Sequence, residues 1–268
     1  MKKLFYIIPI MATLASCSTD KTVKSIYDEN SKAFFISQIE KCYSNWENFS
    51  NFEKNQAIYN EAEVINDLDL YLIHLHSENH IDWSTRMENY RHWQQLTTAV
   101  ERFLELKSTL QWYTHKTGTA GASFAPCGRR DMSIAHYLYN ESKLKDPSGK
   151  EFSDELGLLG KSKLLSFDSI PEYKTQTNEK LQEYLNKYFS ESKAHFEIAD
   201  SYYPIEEKKK IEKIYAQWKQ DTERAISDIS ELLTLNFSEY PNTNSNAKVN
   251  PTESWLYNQV LHILKYFD

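Results

Sequence analysis

Apolar residues recur at steps of three and four along most of the chain, the spacing that places them on one face of an α-helix. This spacing is clearest in a run near the C-terminal end, which comprises Ile211, Tyr215, Trp218, Thr222, Ala225, Ile229 and Leu232. The heptad pattern predicts a long helix that packs lengthwise against another long helix. No segment alternates apolar and polar residues for long enough to build a sheet, so the sequence predicts an all-α fold.

Capping residues set the predicted boundaries of the first long helices. Ser50 and Glu53 fit the capping box, in which a hydroxyl and a carboxylate satisfy each other's backbone N–H groups. A helix should therefore begin after Ser50 and run to about residue 80. Asp82 or Ser84 can cap the next helix, which should end before Gly118.

Glycine is confined to the middle of the chain. All six glycines lie between Gly118 and Gly160, so residues 118–170 are predicted to form one irregular segment. Within it, residues 118–128 should form a loop and Asp131 should cap a short helix.

The C-terminal part of the chain should return to long helices. Helical patterns on both sides of Pro204 predict an antiparallel hairpin, and an Asn- and Ser-rich linker at 236–251 precedes a final helix. Residues 25–268 are therefore predicted to form a single domain, an elongated bundle of long antiparallel helices around the central segment.

The N-terminal residues have the pattern of an export signal. Lys2 and Lys3 precede an apolar run at residues 4–14, which is too short to span a bilayer. The run ends in Leu14-Ala15-Ser16-Cys17, which resembles the lipobox of bacterial lipoproteins. The resemblance covers the first 17 residues and implies no family for the remainder.

This resemblance implies a membrane anchor. In bacterial lipoproteins the leader, here residues 1–16, is removed and the cysteine, here Cys17, receives acyl chains, which would make residues 17–24 a lipidated tether. Two or more chains anchor a protein stably. Ser18 follows the cysteine, and by the same resemblance this favours the outer membrane, with the body in the periplasm or on the cell surface.

The charge of the chain restricts its partners. Removing Lys2 and Lys3 with the leader leaves 29 basic residues against 38 acidic ones, a net charge of −9. This balance argues against nucleic acid, whose phosphates require a basic surface. It suits a basic protein partner, and it also keeps the body soluble.

Cys42 and Cys127 remain once Cys17 is assigned to lipid. An even pair in an oxidising compartment is a candidate disulfide. The alternative is two buried free thiols held apart by the helices. The sequence leaves both alternatives open.

The sequence gives weak signals for metal binding or catalysis. His76 and His80 lie four apart on one helical face and are weak candidates for chelation, although exposed histidines near a helix end account for them more simply. Ser123 lacks the glycine that ends a nucleophile elbow, and the spacing of Cys127 and His136 specifies no catalytic pair. We predict no cofactor, no metal and no enzymatic activity.

The segment 118–131 carries the strongest binding signal. Arg129 and Arg130 are well suited to bidentate contact with carboxylate or phosphate groups, and loops often carry binding residues. Trp93 and Trp112 lie off the main apolar stripe of their helix and are candidate anchors of an interface. The alternatives are that the arginines pair with neighbouring acidic residues and that another helix covers both indoles.

These features predict a membrane-anchored helical lipoprotein that acts by binding another protein. One concrete version is an immunity protein that neutralises a toxin in the periplasm, by analogy with other acidic lipoproteins of that kind. An envelope adaptor or assembly lipoprotein is the alternative. A metal-binding protein or a hydrolase that uses the 118–131 loop is a further one.

Overall fold

The computed structural model describes residues 28–77, 83–113, 120–142, 151–164, 183–184, 186–188, 190–192, 205–234 and 259–265. In these ranges the backbone forms helices and turns and contains no strand, so the all-α prediction is confirmed. Packed helices surround a core of buried apolar side chains. None of the helices in these ranges is long and apolar enough to cross a membrane.

Seven α-helices have defined bounds. They are α1 Glu29–Tyr43, α2 Asn51–Ser77, α3 Trp83–Tyr113, α4 Phe124–Ser142, α5 Phe152–Leu156, α6 Leu158–Lys161 and α7 Ile205–Thr234. Two 3-10 turns lie at Trp46–Asn48 and Ala120–Ser123. The described residues between 183 and 192 and those at 259–265 are also helical.

Side-chain caps fix where the first two helices begin. The Asp28 carboxylate accepts hydrogen bonds from the backbone N–H groups of Asn30 and Ser31, both at 3.0 Å, so α1 starts after Asp28. At α2 the Ser50 N–H donates to the Glu53 carboxylate at 2.8 Å, and the Glu53 N–H donates to the Ser50 hydroxyl at 3.3 Å. The predicted capping box is therefore confirmed. Such caps stabilise a helix by about 1 kcal/mol each.

Helix α4 forms the centre of the bundle. It packs against α2 on one side and α3 on the other, while α1 lies on α2 and α7 lies on α3. The apolar stripe predicted for α2 is buried, with Ala62, Ile65, Leu68 and Leu72 fully enclosed. These contacts place the side chains of α2, α3 and α4 within reach of one another.

The heptad run of α7 packs lengthwise against α3. Trp218, Thr222 and Ala225 are buried, and the Trp218 indole N–H donates to the Leu106 carbonyl at 2.8 Å. The predicted long neighbour therefore exists, and it is α3. The predicted hairpin partner before Pro204 lies mostly outside the described residues, although Tyr188 of that segment contacts Trp218 with ring centroids 6.5 Å apart.

The predicted loop at 118–128 is wrong over its described part, 120–128. A 3-10 turn occupies 120–123 and α4 begins at Phe124, so Asp131 lies inside the helix rather than at its cap. Pro126 falls in the first turn, where a helix requires no N–H donor. Gly128 lies where α4 approaches α3, and a β-carbon at this position would overlap the Leu104 Cδ1 atom. This glycine therefore permits close packing within a helix.

A buried lysine connects α3 to the segments that follow it. The Lys107 ammonium donates to the Tyr184 hydroxyl at 3.1 Å and to the Leu264 carbonyl at 3.0 Å. It also lies over the Tyr188 ring, 5.3 Å from the centroid. These interactions hold residues 184–188 and 264 against the inner side of α3.

Candidate functional site

Several predicted site residues lie outside the described part of the chain. Cys17, its tether and His80 are among them, and the side chains of Trp112 and His76 are not described. The lipidation site and the weak metal candidates therefore stay predictions. Within the described ranges, no group of three or more His, Cys, Asp or Glu side chains could hold a metal ion.

Cys42 and Cys127 are free thiols in the structure, so the disulfide alternative is not formed there. The Cys42 thiol donates to the Gln38 carbonyl one turn earlier in α1, at 3.3 Å. Burial raises the pKa of both thiols, and the charge of Glu61 adds to the shift at Cys42. Both cysteines therefore remain protonated at neutral pH, the form that is the weaker nucleophile and metal ligand.

For Trp93, the alternative that another helix covers the indole is the one observed. Its side chain is fully buried, and its indole N–H donates to the Met132 carbonyl of α4 at 3.0 Å. Helix α4 covers the ring because it packs directly against α3. Trp93 is therefore a core residue.

Arg129 is paired with acidic residues from two helices. Its guanidinium donates to Glu63 of α2 and to Glu101 of α3, at 2.7 Å in each case. The alternative that the arginines pair with neighbouring acidic residues is therefore the one observed. Arg129 joins α2 to α3 across the first half of α4.

Arg130 lies in a buried polar cluster between α2 and α4. It donates to Asp131 at 3.1 Å and lies 3.8 Å from the fully buried Glu61 carboxylate. The Tyr43 hydroxyl also donates to Glu61, and Lys161 lies 3.8 Å away. Burial opposes the charge on Arg130, but the neighbouring groups, Asp131 first and Glu61 among them, together outweigh it and raise the pKa of the guanidinium. Arg130 therefore acts as an interior counter-ion.

A second buried polar cluster lies further along the same two helices. His136 Nδ1 lies 2.5 Å from the Asp69 carboxylate, which also accepts from Asn140 at 2.7 Å. The imidazole stacks on the Trp93 indole with ring centroids 5.2 Å apart. In the sequence, His136 was a candidate only as a catalytic neighbour of Cys127. In the structure its hydrogen-bond partner is Asp69.

Helices α2 and α3 also present an acidic face, formed by Tyr59, Glu63 and Asp67 of α2 and Glu101 and Glu105 of α3. Four carboxylates share this surface with one guanidinium of α4, that of Arg129. Sequence reasoning missed these residues, although their spacing of four along each helix places them on one face.

Two carboxyl groups of the acidic face have raised pKa values. Partial burial and the charge of Glu63 raise the pKa of Asp67. Burial and the charge of Glu101 raise the pKa of Glu105, although Arg102 opposes the shift. Burial is the larger cause of both shifts, and a neighbouring carboxylate adds to each.

A pocket of about 290 Å³ opens at one end of the acidic face, and we call it the Tyr59 pocket. Its lining residues come from the start of α2, the end of α3 and the start of α4: Phe52, Asn55, Gln56, Tyr59, Glu105, Ser108, Gly121, Ala122, Ala125 and Pro126. The Asn55 amide donates to the Ala122 carbonyl at 3.1 Å and fixes the 3-10 turn against α2. The Tyr59 hydroxyl is hydrogen-bonded to Glu101, so the pocket and the acidic face share residues.

The described residues thus define an all-α helical bundle with an acidic face and an adjoining pocket. Comparison of the chain with protein-family models, with curated proteins and with solved structures gave no match. The functional argument therefore depends on the chain's own residues.

Proposed function

We propose that this chain is a lipid-anchored helical lipoprotein of the bacterial envelope that acts by binding a basic protein through the acidic face. The lipobox at Leu14-Ala15-Ser16-Cys17 supports the anchor and the compartment. One observation carries the binding proposal: the acidic face brings four carboxylates together, and Arg129 of α4 pairs with two of them, Glu63 and Glu101.

A basic partner fits this surface for an electrostatic reason. The acidic face adds four carboxylates on one surface to the net charge of −9 of the mature chain, and the charges of Glu63 and Glu101 add to the effect of burial in raising the pKa values of Asp67 and Glu105. Complementary charge accelerates association and selects among partners. A toxin delivered into the periplasm would be one such partner, which is the immunity version of the proposal. An envelope protein with a basic surface would make this chain an adaptor.

Capture of the partner tests the binding proposal. The full mature chain in detergent is used to retain proteins from envelope extract, and the retained protein is identified and titrated. We expect a basic partner whose affinity falls as salt shortens the screening length from about 10 Å at 0.1 M to about 3 Å at 1 M. Affinity that does not change with salt, or a partner without a basic surface, would contradict the proposal.

A charge reversal on the acidic face supplies the matched test. Asp67→Lys should weaken partner binding, mainly through slower association, and should reduce its salt dependence. Asp154→Lys is the control because Asp154 is exposed on α5, which contacts the opposite end of α4 through Glu141. Equal effects of the two variants would rule out the acidic face as the binding surface.

The anchor has its own test. Cells that produce the chain should incorporate labelled palmitate into it, and Cys17→Ala should abolish the label. The labelled chain should sediment with outer-membrane fractions. A Cys17→Ala chain that retains the label would refute the assignment of the anchor.

A further inference from the structure

We propose that the Tyr59 pocket receives a single arginine side chain of the protein partner, an inference that rests on the proposed function. The pocket lies beside the acidic face, and Tyr59 and Glu105 belong to both. Its volume of about 290 Å³ suits one long side chain, since pockets for whole drug-sized ligands extend from about 300 to 1,000 Å³.

Small residues create the space. Gly121, Ala122 and Ala125 form one wall, and the bond from Asn55 to the Ala122 carbonyl holds that wall in place. The small-residue segment that the sequence suggested as a loop therefore lines a cavity. Because both sides of the pocket belong to packed helices and a fixed turn, little ordering is needed when a side chain enters.

The polar groups of the pocket are acceptors suited to a guanidinium. Glu105 supplies a carboxylate, which an arginine can contact through two parallel N–H groups. The hydroxyl of Tyr59 is engaged with Glu101, and its oxygen can accept a further bond. The Gln56 amide nitrogen donates to Asn60 at 3.1 Å, which leaves the amide oxygen as an acceptor.

The aromatic residues of the pocket suit the planar part of the same group. Phe52 and Tyr59 both line it, and Phe52 is 77% exposed, the most exposed large apolar side chain among the described residues. A guanidinium stacks on aromatic rings, and the methylene stem of an arginine can cover the exposed ring of Phe52. An ammonium lacks the planar surface for this contact.

None of the ten lining residues is basic, so no cation of the pocket itself competes for Glu105. The ion pairs of the nearby guanidiniums are with other carboxylates, Arg129 with Glu63 and Glu101 and Arg102 with Asp221 of α7 at 3.6 Å, although the charge of Arg102 also lowers the pKa of Glu105. The raised pKa of Glu105 is consistent with a carboxylate that lacks a full counter-charge. A guanidinium from a partner would supply that charge.

Labelled peptides test this inference without the natural partner. The full mature chain in detergent is titrated with a fluorescein-labelled peptide that carries one arginine among neutral residues, and binding is followed by fluorescence anisotropy. In two further peptides, lysine or uncharged citrulline replaces the arginine. We expect saturable binding of the arginine peptide and at least about tenfold weaker binding of the citrulline peptide, the loss that removal of a charged hydrogen bond produces.

Variants place the binding in the pocket. Glu105→Gln should weaken binding of the arginine peptide about tenfold. Tyr59→Phe, which keeps the ring, should weaken it about two- to fivefold. Asp154→Asn is the control with the same loss of charge, and circular dichroism confirms that each variant is folded. Lowering the pH through the raised pKa of Glu105 should weaken binding to the parent chain, and Glu105→Gln should remove that pH dependence.

Three outcomes would overturn the inference: equal binding of the arginine and citrulline peptides, unchanged binding in Glu105→Gln, or tighter binding of spermidine than of the arginine peptide. The last would assign the pocket to a free polyamine. If the peptides fail while partner capture still responds to Asp67→Lys, the pocket assignment is wrong and the proposed function stands. If the peptides bind while no basic partner is captured, the proposed function fails and the pocket remains a guanidinium site.

Discussion

Carboxylates occur in two contrasting regions of this bundle. Between α2 and α4, the buried carboxylates of Glu61 and Asp69 each have designated partners, Tyr43 and Arg130 for the first and His136 and Asn140 for the second. On the acidic face, Arg129 of α4 pairs with Glu63 and Glu101, while Asp67 and Glu105 are exposed beside them. Carboxylates are therefore enclosed among polar partners in one region and gathered at a largely exposed surface in the other.

The difference separates stability from recognition. A buried charge costs several kcal/mol unless its partners are in place, so the interior clusters require α2 and α4 to meet in one alignment. An exposed like-charge surface contributes little to folding and even opposes it, which makes it available to a partner. We infer that substitutions in the two regions will have opposite consequences.

The largest expected effect comes from removing the interior cation. Arg130→Met leaves Glu61 and Asp131 buried without their counter-ion and should lower the free energy of unfolding by about 3–5 kcal/mol. Urea unfolding followed by circular dichroism measures the loss. Arg224→Met on the exposed side of α7 is the control and should stay within about 0.5 kcal/mol of the parent chain. Equal stability of the two variants would remove the distinction between the regions.

A matched pair of smaller changes lies within α2. Asp69→Asn replaces the buried partner of His136 and should cost about 2 kcal/mol, because a charged hydrogen bond is lost. Asp67→Asn, two residues away and exposed, should change stability by less than about 0.5 kcal/mol. Asp67→Asn should nevertheless weaken binding of the basic partner, whereas Asp69→Asn should leave that binding unchanged. The reverse ranking in either assay would contradict the comparison.

The smallest expected effect is a change in the free energy of unfolding with pH. The pKa of the Asp67 carboxyl is raised above its ordinary value of 3.8 in the folded chain. At pH values just above 3.8 the folded chain therefore keeps the Asp67 proton, whereas the unfolded chain has released it. The free energy of unfolding should therefore fall as the pH rises above that value, and Asp67→Asn should remove this part of the fall. Urea titrations of both chains between about pH 4 and pH 7 measure the difference. If the free energies of unfolding of the two chains change in parallel with pH, Asp67 does not contribute to the pH dependence.

Local signals in the sequence predicted much of the fold. The capping box of Ser50 and Glu53, the apolar stripe of α2 and the heptads of α7 each depend on residues close in sequence, and each is confirmed. They were readable because caps and helical periodicity act within one or two turns.

Features that depend on distant residues were not predicted. Gly128 favoured a loop in the sequence, because its close contact with Leu104 of α3 involves a distant residue. Trp93 lies off the apolar stripe of its own helix, and its burial depends on α4. The acidic face and its pocket arise from α2, α3 and α4 together, so periodicity within one helix indicated only parts of it. Arg129 and Arg130 were predicted as candidate binding residues, but Glu63 and Glu61, with which they pair in the structure, lie on α2.

The Lys107 contacts bear on the order in which the bundle assembles. The ammonium of Lys107 reaches the Leu264 carbonyl across 157 residues of sequence, and it is buried when it does so. Closing so long a loop costs entropy before the contact returns any free energy. Helix α3 can therefore complete its inner side only after the last described helical segment has arrived. Until then the Lys107 ammonium stays in water and the inner side of α3 stays uncovered.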